Sequence, residues 1–407
     1  MTELDRSRRF DHLFTSTVRE SLDEPGYGSW RSLTAPDAVS LSFGFPYPDS
    51  FPEAALLESL ETVLAEEGSD ALQYGGGEYV ESLREGILGR EAAHGIEASA
   101  DELLLTNGAT HAIDGVAQAF LEPGDEVFVE APTFMGTLSL FENYGVEVTG
   151  FPLDEDGLDV DAVEESLAGR RKRGEPTPKL LYTIPNFQNP TGATLSRERR
   201  EKLVALAAEY EFIIVEDDAY GELRFDADNV APLAALDDEG WVVRLGTFSK
   251  TIAPGVRTGW VLGHEIIVEQ IGRLLAGGTN TFTQSVLGRY FDAGHYEPTL
   301  ADLNEAYEER RDAMLESLST HLPPGSDWTE PAGGFFVWVT LPEGVDAEEM
   351  LPDAAEEGVT YLPGPHFFAN GGGRRSLRLS FSHVSAEEMD RGIAALARAT
   401  ESVLEEQ

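Results

Sequence analysis

Lys250 is the residue around which chemistry gathers in this sequence. It sits in Leu245-Gly-Thr-Phe-Ser-Lys-Thr-Ile-Ala-Pro-Gly-Val-Arg257, with hydroxyls at Thr247 and Ser249 and a guanidinium at Arg257. An amine, two hydroxyls and an arginine in one turn-prone segment suit an aldehyde that also carries a phosphate: the amine forms a Schiff base and the other groups hold the phosphate. The amine attacks only when neutral, so it needs a desolvated or locally positive setting. Only four of the 29 basic residues are lysines, at 172, 179, 202 and 250. Lys172 lies in a polar run, Lys179 precedes an apolar run and Lys202 lies in a charged helix, so Lys250 alone has hydroxyls and glycines around it.

Four further constellations fit the same chemistry. Thr106-Asn-Gly-Ala-Thr-His111 follows an apolar run and opens a helix, which would aim the N–H groups of Ala109 and Thr110, with the Thr110 hydroxyl, at an anion. Beside Thr247, Ser249 and Arg257 this makes a phosphate cup. Ile213-Ile-Val-Glu-Asp-Asp-Ala-Tyr220 carries an apolar strand into three carboxylates, Glu216, Asp217 and Asp218. One of them would pair with a protonated ring nitrogen and keep the ring electron-withdrawing, and Tyr220 would bond a ring hydroxyl. Spacing leaves the choice among the three open, and at least one caps the following segment. Pro185-Asn-Phe-Gln-Asn-Pro-Thr-Gly192 places the Asn189 amide in a turn after another strand. Arg378, inside the alternating run Leu377-Arg-Leu-Ser-Phe381, would grip a carboxylate in bidentate fashion.

These motifs need strand ends to hold them, and the chain supplies strands. Short apolar runs at Leu103 to Leu105, Val127 to Val129, Val146 to Phe151, Leu180 to Ile184, Phe212 to Val215 and Trp241 to Leu245 alternate with helical patterns at about 110–121, 134–144, 160–167 and 197–210. That alternation predicts an α/β domain with a mostly parallel central sheet flanked by helices, whose ligands gather at the carboxyl ends of the strands. Beyond Trp260, helical patterns and the strand-like runs 333–341 and 376–381 predict a smaller α+β domain, closed by a helix that begins with the capping box Ser385-Ala-Glu-Glu388. The expected division is an amino-terminal arm and part of the small domain over 1–50, a large domain over 51–290 and a small domain over 291–407. Before the sheet, Pro52 starts a helix whose apolar face is read as Leu56, Leu57, Leu60 and Leu64.

Composition narrows the function. With 74 acidic against 29 basic residues the net charge is -45, which repels nucleic acid and anionic lipid. Such a surface suits high salt, where screening weakens self-repulsion. There are no cysteines, and the eight histidines show no paired metal-ligand spacing. No apolar run approaches the roughly 20 residues of a membrane span, and Met1 to Arg9 lacks a leader's apolar core. The expectation is a cytoplasmic protein without membrane or nucleic-acid partners.

Taken together, Asn189-Pro-Thr-Gly, Glu216-Asp-Asp-Ala-Tyr220, Thr247-Phe-Ser-Lys250 to Arg257 and Leu377-Arg-Leu-Ser-Phe381 resemble the fold-type I, pyridoxal-phosphate-dependent aminotransferases of class I/II, over nearly the whole chain. Gly333-Gly-Phe-Phe-Val-Trp and Pro363-Gly-Pro-His-Phe-Phe are similar to the kynurenine/2-aminoadipate branch. The resemblance implies pyridoxal 5'-phosphate as cofactor, Lys250 as Schiff-base lysine and proton carrier, and Asp217 at the pyridinium nitrogen. Tyr220 and Asn189 would bond the ring 3-oxygen, and Phe134 would stack on the ring. Ala109, Thr110, Thr247 and Arg257 would hold the phosphate, with Tyr74 arriving from a partner subunit of a homodimer. Arg378, with Gly44 and Asn189, would bind the substrate carboxylate, and the Asn189-Pro190 bond is a candidate for the cis form. Ala109 stands where relatives often have serine, and Gly75-Gly-Gly77 makes the Tyr74 loop plainer than usual.

The implied activity is ping-pong transfer of an amino group from an aromatic, 2-aminoadipate-like or broad range of amino acids to a 2-oxo acid such as 2-oxoglutarate. A β-lyase, decarboxylase or racemase would use the same lysine, aspartate and arginine. A reading from another class is an aminotransferase-like transcriptional sensor without its DNA-binding domain, which the acidic charge opposes.

Overall fold

The computed structural model describes residues 8–15, 19, 38–226, 228–275 and 278–405. Residues 1–7, with most of the stretch read for a leader, and much of the expected arm (16–18 and 20–37) lie outside the described residues. After β1 (Val39–Ser40) come helices α1 (Glu53–Glu66) and α2 (Tyr79–Ala93). The chain then alternates: β2 (Leu103–Thr106), α3 (Ala109–Phe120), β3 (Glu126–Ala131), α4 (Met135–Tyr144), β4 (Glu147–Asp154), β5 (Gly157–Leu158), α5 (Val160–Arg173), β6 (Leu180–Thr183), α6 (Arg197–Tyr210), β7 (Ile213–Asp217), β8 (Val242–Thr247) and β9 (Gly259–Leu262). Helices α7 (Glu265–Leu274), α8 (Thr281–Asp292) and α9 (Tyr296–His321) follow. The remainder is β10 (Asp327–Trp328), β11 (Phe336–Thr340), α10 (Leu351–Glu357), β12 (Val359–Thr360), β13 (Leu362–Pro363), β14 (Ser376–Ser380) and α11 (Ala386–Glu405).

All six apolar runs become strands of one eight-stranded sheet, ordered β2-β9-β8-β7-β6-β3-β4-β5. Strands β8, β7, β6, β3 and β4 are mutually parallel. Successive side chains point to opposite faces of a strand, and both faces here are covered. Val127, Val129, Tyr182, Ile213, Val215, Val243 and Leu245 enter one core, and Phe128, Leu181, Ile214 and Val242 enter the other. That is why these strands read as continuous apolar runs. The sheet departs from parallel at β9, antiparallel to both β2 and β8, and at the short return strand β5 on β4.

Local signals set the helix limits. The Asp159 carboxylate caps α5 by accepting from the Ala162 N–H at 3.0 Å. The helix runs past the expected Leu167 to Arg173, where Gly174 takes the left-handed turn at φ 72°. The capping box at Ser385 forms as read, with Glu388 accepting from the Ser385 N–H at 2.9 Å. Helix α1 corrects one expectation: it buries Ser59 and Val63, and its Leu57 and Leu64 are 56% and 43% exposed. The buried stripe is turned away from these two leucines, leaving an apolar outer face.

A four-stranded antiparallel sheet, β10-β11-β14-β13, carries Arg378 opposite Trp338 and Leu362. The amino-terminal strand β1 joins this end of the molecule by pairing in parallel with β12. We keep the division near residue 290 as a proposal and note that α9 spans both cores. Its Leu300, Leu303 and Tyr307 bury in the large core, and its Met314 and Leu318 in the small one. Among the described residues, no helix is long and apolar enough to cross a membrane.

Candidate active site

The chain runs from β3 to β4 on one side and onward to β6, β7 and β8 on the other, so a crevice opens outside the carboxyl ends of these strands. A cavity of about 280 Å³ lies there. Its wall includes Gly44, Ala109, Thr110, Phe134, Asn189, Asp217, Tyr220, Thr247, Ser249, Lys250, Arg257 and Arg378. Every candidate residue is thus brought to one cavity except Tyr74, which is 98% exposed.

One end is built for an anion. Helix α3 begins at Ala109 with no side-chain cap, so its first N–H groups have no partner within the helix. Arg257, in the connection from β8 to β9, lays its guanidinium on this turn and donates from Nη2 to the Asn107 carbonyl at 2.8 Å. Gly108 permits the approach: its φ is +94°, and a Cβ there would stand 2.8 Å from Nη2. The Thr247 hydroxyl donates to Ser249 Oγ at 2.9 Å and accepts from the Ser249 N–H at 3.1 Å, which fixes both hydroxyls.

The three carboxylates at the end of β7 go three ways. Glu216 accepts from the N–H groups of Leu233 and Ala234, at 2.9 and 3.1 Å, and so caps a short 3₁₀ turn. Asp218 accepts from Arg244 Nη2 at 2.6 Å and from Asn186 Nδ2 at 2.9 Å. Asp217 faces the cavity. Its Oδ2 accepts from the buried Tyr182 hydroxyl at 2.6 Å, and its buried Oδ1 has no hydrogen-bond partner among the described residues. Burial pushes Asp217 up to about 6; the Tyr182 bond opposes the rise and Asp218 adds to it. Tyr182 carries no local signal in the sequence, where it reads as one more apolar strand residue.

Lys250 closes the opposite wall. Its Nζ donates to the Gly44 carbonyl at 2.8 Å. Desolvation, with the like charges of Arg378 and Arg257, holds the amine down at about 8. Both influences sought in the sequence, a dry setting and positive neighbours, are therefore present.

Arg378 is buried and donates from Nη1 to Asn189 Oδ1 at 2.8 Å and from Nη2 to the Ser42 carbonyl at 2.7 Å. Its guanidinium carbon lies 4.0 Å from the centre of the Phe336 ring. The same ring explains Gly44: a Cβ there would meet Phe336 Cζ at 2.5 Å. The Asn189-Pro190 bond is cis, as is Ala131-Pro132. Phe43, Phe45, Phe336 and Leu362 complete an apolar side of the cavity, with Phe43 and Phe45 stacked at 4.8 Å. Phe336 belongs to the Gly333-Gly-Phe-Phe-Val-Trp motif quoted from the sequence.

Residues 36–396 match the family profile "Aminotransferase class I and II". The chain belongs to this family. It is 40% identical over 365 residues to aromatic-amino-acid aminotransferase 1 of Thermococcus litoralis, covering 89% of this chain and 87% of that one. It is 35% identical over 395 residues to 2-aminoadipate transaminase of Thermus thermophilus, covering 96% and 94%. The crystal structure of Pyrococcus horikoshii kynurenine aminotransferase superposes with a TM-score of 0.92 at 37% identity, covering 98% of this chain and 99% of that one. The protein is a pyridoxal-phosphate-dependent aminotransferase with the fold-type I architecture. The lyase, decarboxylase and regulator alternatives are not favoured. The residues present fit the cofactor: Asp217 Oδ1 is a buried acceptor lacking a donor among the described residues, and a pyridinium N–H is one.

Proposed function

We propose that the amino donors are aromatic or 2-aminoadipate-like amino acids, taken with broad tolerance, and that a 2-oxo acid such as 2-oxoglutarate is the acceptor. The observation that carries the assignment of the site is the convergence of four groups on one cavity: the low-pKa amine of Lys250, the open Oδ1 of Asp217, and the guanidiniums of Arg257 and Arg378. The apolar wall of Phe43, Phe45, Phe336 and Leu362 supports an aromatic donor, as do the names of the Thermococcus and Pyrococcus relatives.

Pyridoxal 5'-phosphate supplies an aldehyde for condensation with amines and a ring that stabilises negative charge developing at the substrate α-carbon. Arg257, Thr247, Ser249 and the first N–H groups of α3, at Ala109 and Thr110, would hold its phosphate. Asp217 would accept from its ring nitrogen, Tyr220 and Asn189 would bond its 3-oxygen, and Phe134 would cover its face. Lys250 would hold the aldehyde carbon at rest and, once displaced by substrate, would take the α-proton on Nζ and deliver it to that aldehyde carbon. An amine held down at about 8 is neutral far more often than an ordinary lysine and would do both without a further base. Arg378, steadied by Asn189 and the Ser42 carbonyl, would grip the substrate carboxylate, with the Gly44 backbone beside it.

We also infer a homodimer in which Tyr74 reaches the partner's phosphate site. The exposed Leu57, Leu64, Leu72 and Tyr74 support an interface on the outer face of α1 and the segment after it. The net charge of -45 supports function in concentrated salt, and we propose the cytoplasm as its place. The test is a donor screen with 2-oxoglutarate, following glutamate formation in high salt. Turnover with phenylalanine, tyrosine, kynurenine or 2-aminoadipate is the expected result. Release of a 2-oxo acid without glutamate would point to elimination chemistry and overturn the reading.

A further inference from the structure

Behind the cavity lies a buried carboxylate that none of these roles employs. Glu130, on β3, is 2% exposed. Its Oε1 accepts from Thr183 Oγ1 at 2.6 Å, its two oxygens lie 3.2 and 3.3 Å from the Ile184 N–H, and its Oε2 accepts from Gln188 Nε2 at 2.9 Å. The Gln188 amide is itself saturated. Its second N–H goes to the Pro132 carbonyl at 2.8 Å, and its Oε1 accepts from the N–H and hydroxyl of Thr191 at 2.9 and 2.8 Å. Gln188 also closes its own loop, donating from its N–H to the Ala193 carbonyl and accepting from the Gly192 N–H. Inside that loop sits Asn189, the partner of Arg378. On its other side the amide holds Pro132, two residues before Phe134.

We propose that ionised Glu130 is a positioning residue: it fixes the orientation of the Gln188 amide, which in turn holds the Asn189 turn, and so Arg378, in the geometry that grips the substrate carboxylate. The argument is one of donors and acceptors. All the groups facing Glu130 donate, which suits an acceptor-only carboxylate. A protonated or amidated side chain at 130 sets a donor either against the Gln188 N–H or against the Thr183 hydroxyl, which then loses its only acceptor among the described residues. Turning the Gln188 amide over to accept it gives up the Pro132 bond and both Thr191 bonds. Buried polar groups left unpaired are costly, so the turn yields instead.

The group also titrates where it matters. Burial pushes Glu130 up to about 7 against the bonds from Thr183, Gln188 and Ile184, and the Asp217 charge adds to the rise. Tyr182, whose own pKa is raised by its burial and by Asp217, is the other titratable neighbour. Protonation below neutrality would therefore loosen the grip of Arg378.

The inference rests on Arg378 as the carboxylate site, and the experiment separates the two. The probe is 3-phenylpropionate, a carboxylate with no amine to react, titrated into the cofactor-loaded enzyme at pH 6 and pH 8. Wild type is expected to bind about five- to tenfold more weakly at pH 6, since protonation and binding are linked. Glu130→Gln is expected to bind about tenfold more weakly at pH 8 and to lose the pH dependence. The double exchange Glu130→Gln with Gln188→Glu restores the donor–acceptor pair between the two side chains but sets a carboxylate oxygen against the Pro132 carbonyl, so it should recover only part of the affinity at pH 8. It also carries the test where Glu130→Gln alone yields no folded enzyme. Arg378→Met should abolish binding. If Arg378→Met binds normally, the reading of the site falls and this inference with it. If Arg378→Met abolishes binding while Glu130→Gln matches wild type at both pH values, or keeps its pH dependence, the inference alone falls.

Discussion

Two charged regions lie back to back at the ends of β7 and β8, and they are built on opposite terms. Behind the strands, Arg244 meets Glu91 at 2.9 Å, Glu216 at 3.3 Å and Asp218 at 2.6 Å, while Trp260 donates to Glu91 at 3.0 Å. Facing the cavity, and among the described residues, Lys250 has for its hydrogen bond only a backbone carbonyl, and Asp217 has one oxygen with no donor. The contrast is sharpest between neighbours. Burial alone would raise Asp218, but the Arg244 charge and the bonds from Asn186 and Arg244 hold it below its ordinary value. Asp217 has no cation bonded to it among the described residues and rises to about 6. Charges that serve the fold are matched within the chain, whereas charges that serve the reaction are left to be matched by what binds.

Substitution at the two aspartates should pull that contrast apart. Asp217→Asn should cost roughly 10²–10³ in kcat, the scale of losing one preorganised electrostatic partner. Its effect on cofactor-free stability should be the reverse of a loss. The folded pKa lies above the unfolded value, so the stability that this carboxyl contributes is present below about pH 4 and is lost as pH rises through about 6. Asparagine removes that penalty, and the melting temperature at pH 8 should hold or rise. Asp218→Asn should behave in the opposite way. Its folded pKa is depressed, so its contribution is present above the unfolded value and is lost only on acidification. Removing the charge at pH 8 leaves Arg244 short of a partner and should cost about 3–5 kcal/mol. Melts of both cofactor-free variants at pH 5 and pH 8 check the pair. If both shift in the same direction at pH 8, the contrast is wrong.

A smaller effect is expected at the phosphate end. Gly108→Ala forces a Cβ toward the Arg257 guanidinium in a left-handed backbone. It should weaken cofactor retention by about tenfold, or about 1.4 kcal/mol, and leave turnover at saturating cofactor within a factor of about three. Equilibrium dialysis against pyridoxal 5'-phosphate reads the first figure and steady-state kinetics the second. Unchanged retention would remove Arg257 and the α3 turn from the phosphate site.

Much of this architecture could be read before any coordinates. The parallel strands were legible because burial on both faces leaves a continuous apolar run, and the motifs were legible because each follows one. Strand β9 was not, since nothing in Gly259-Trp-Val-Leu262 encodes the direction in which a strand enters a sheet. Spacing left the choice among Glu216, Asp217 and Asp218 open, and only the resemblance pointed to Asp217. What separates them is the company each keeps, Leu233 and Ala234 for the first, Tyr182 for the second and Arg244 for the third. The outward turn of Leu57 and Leu64 escaped the periodicity argument, which finds an apolar stripe without saying what will cover it.

The central claim is that Lys250 is the lysine that holds the cofactor, and the scarcity of lysine makes it directly testable. The cofactor-loaded protein would be reduced with borohydride in high salt and the modified residue mapped by peptide mass spectrometry, between pH 6 and pH 9. The account predicts one modified peptide, carrying Lys250, with Lys172, Lys179 and Lys202 untouched. The rate at which cofactor-free protein takes up the aldehyde should rise as pH passes about 8 and the amine becomes neutral. An adduct at another lysine, or cofactor tightly held with no reducible bond to Lys250, would contradict it.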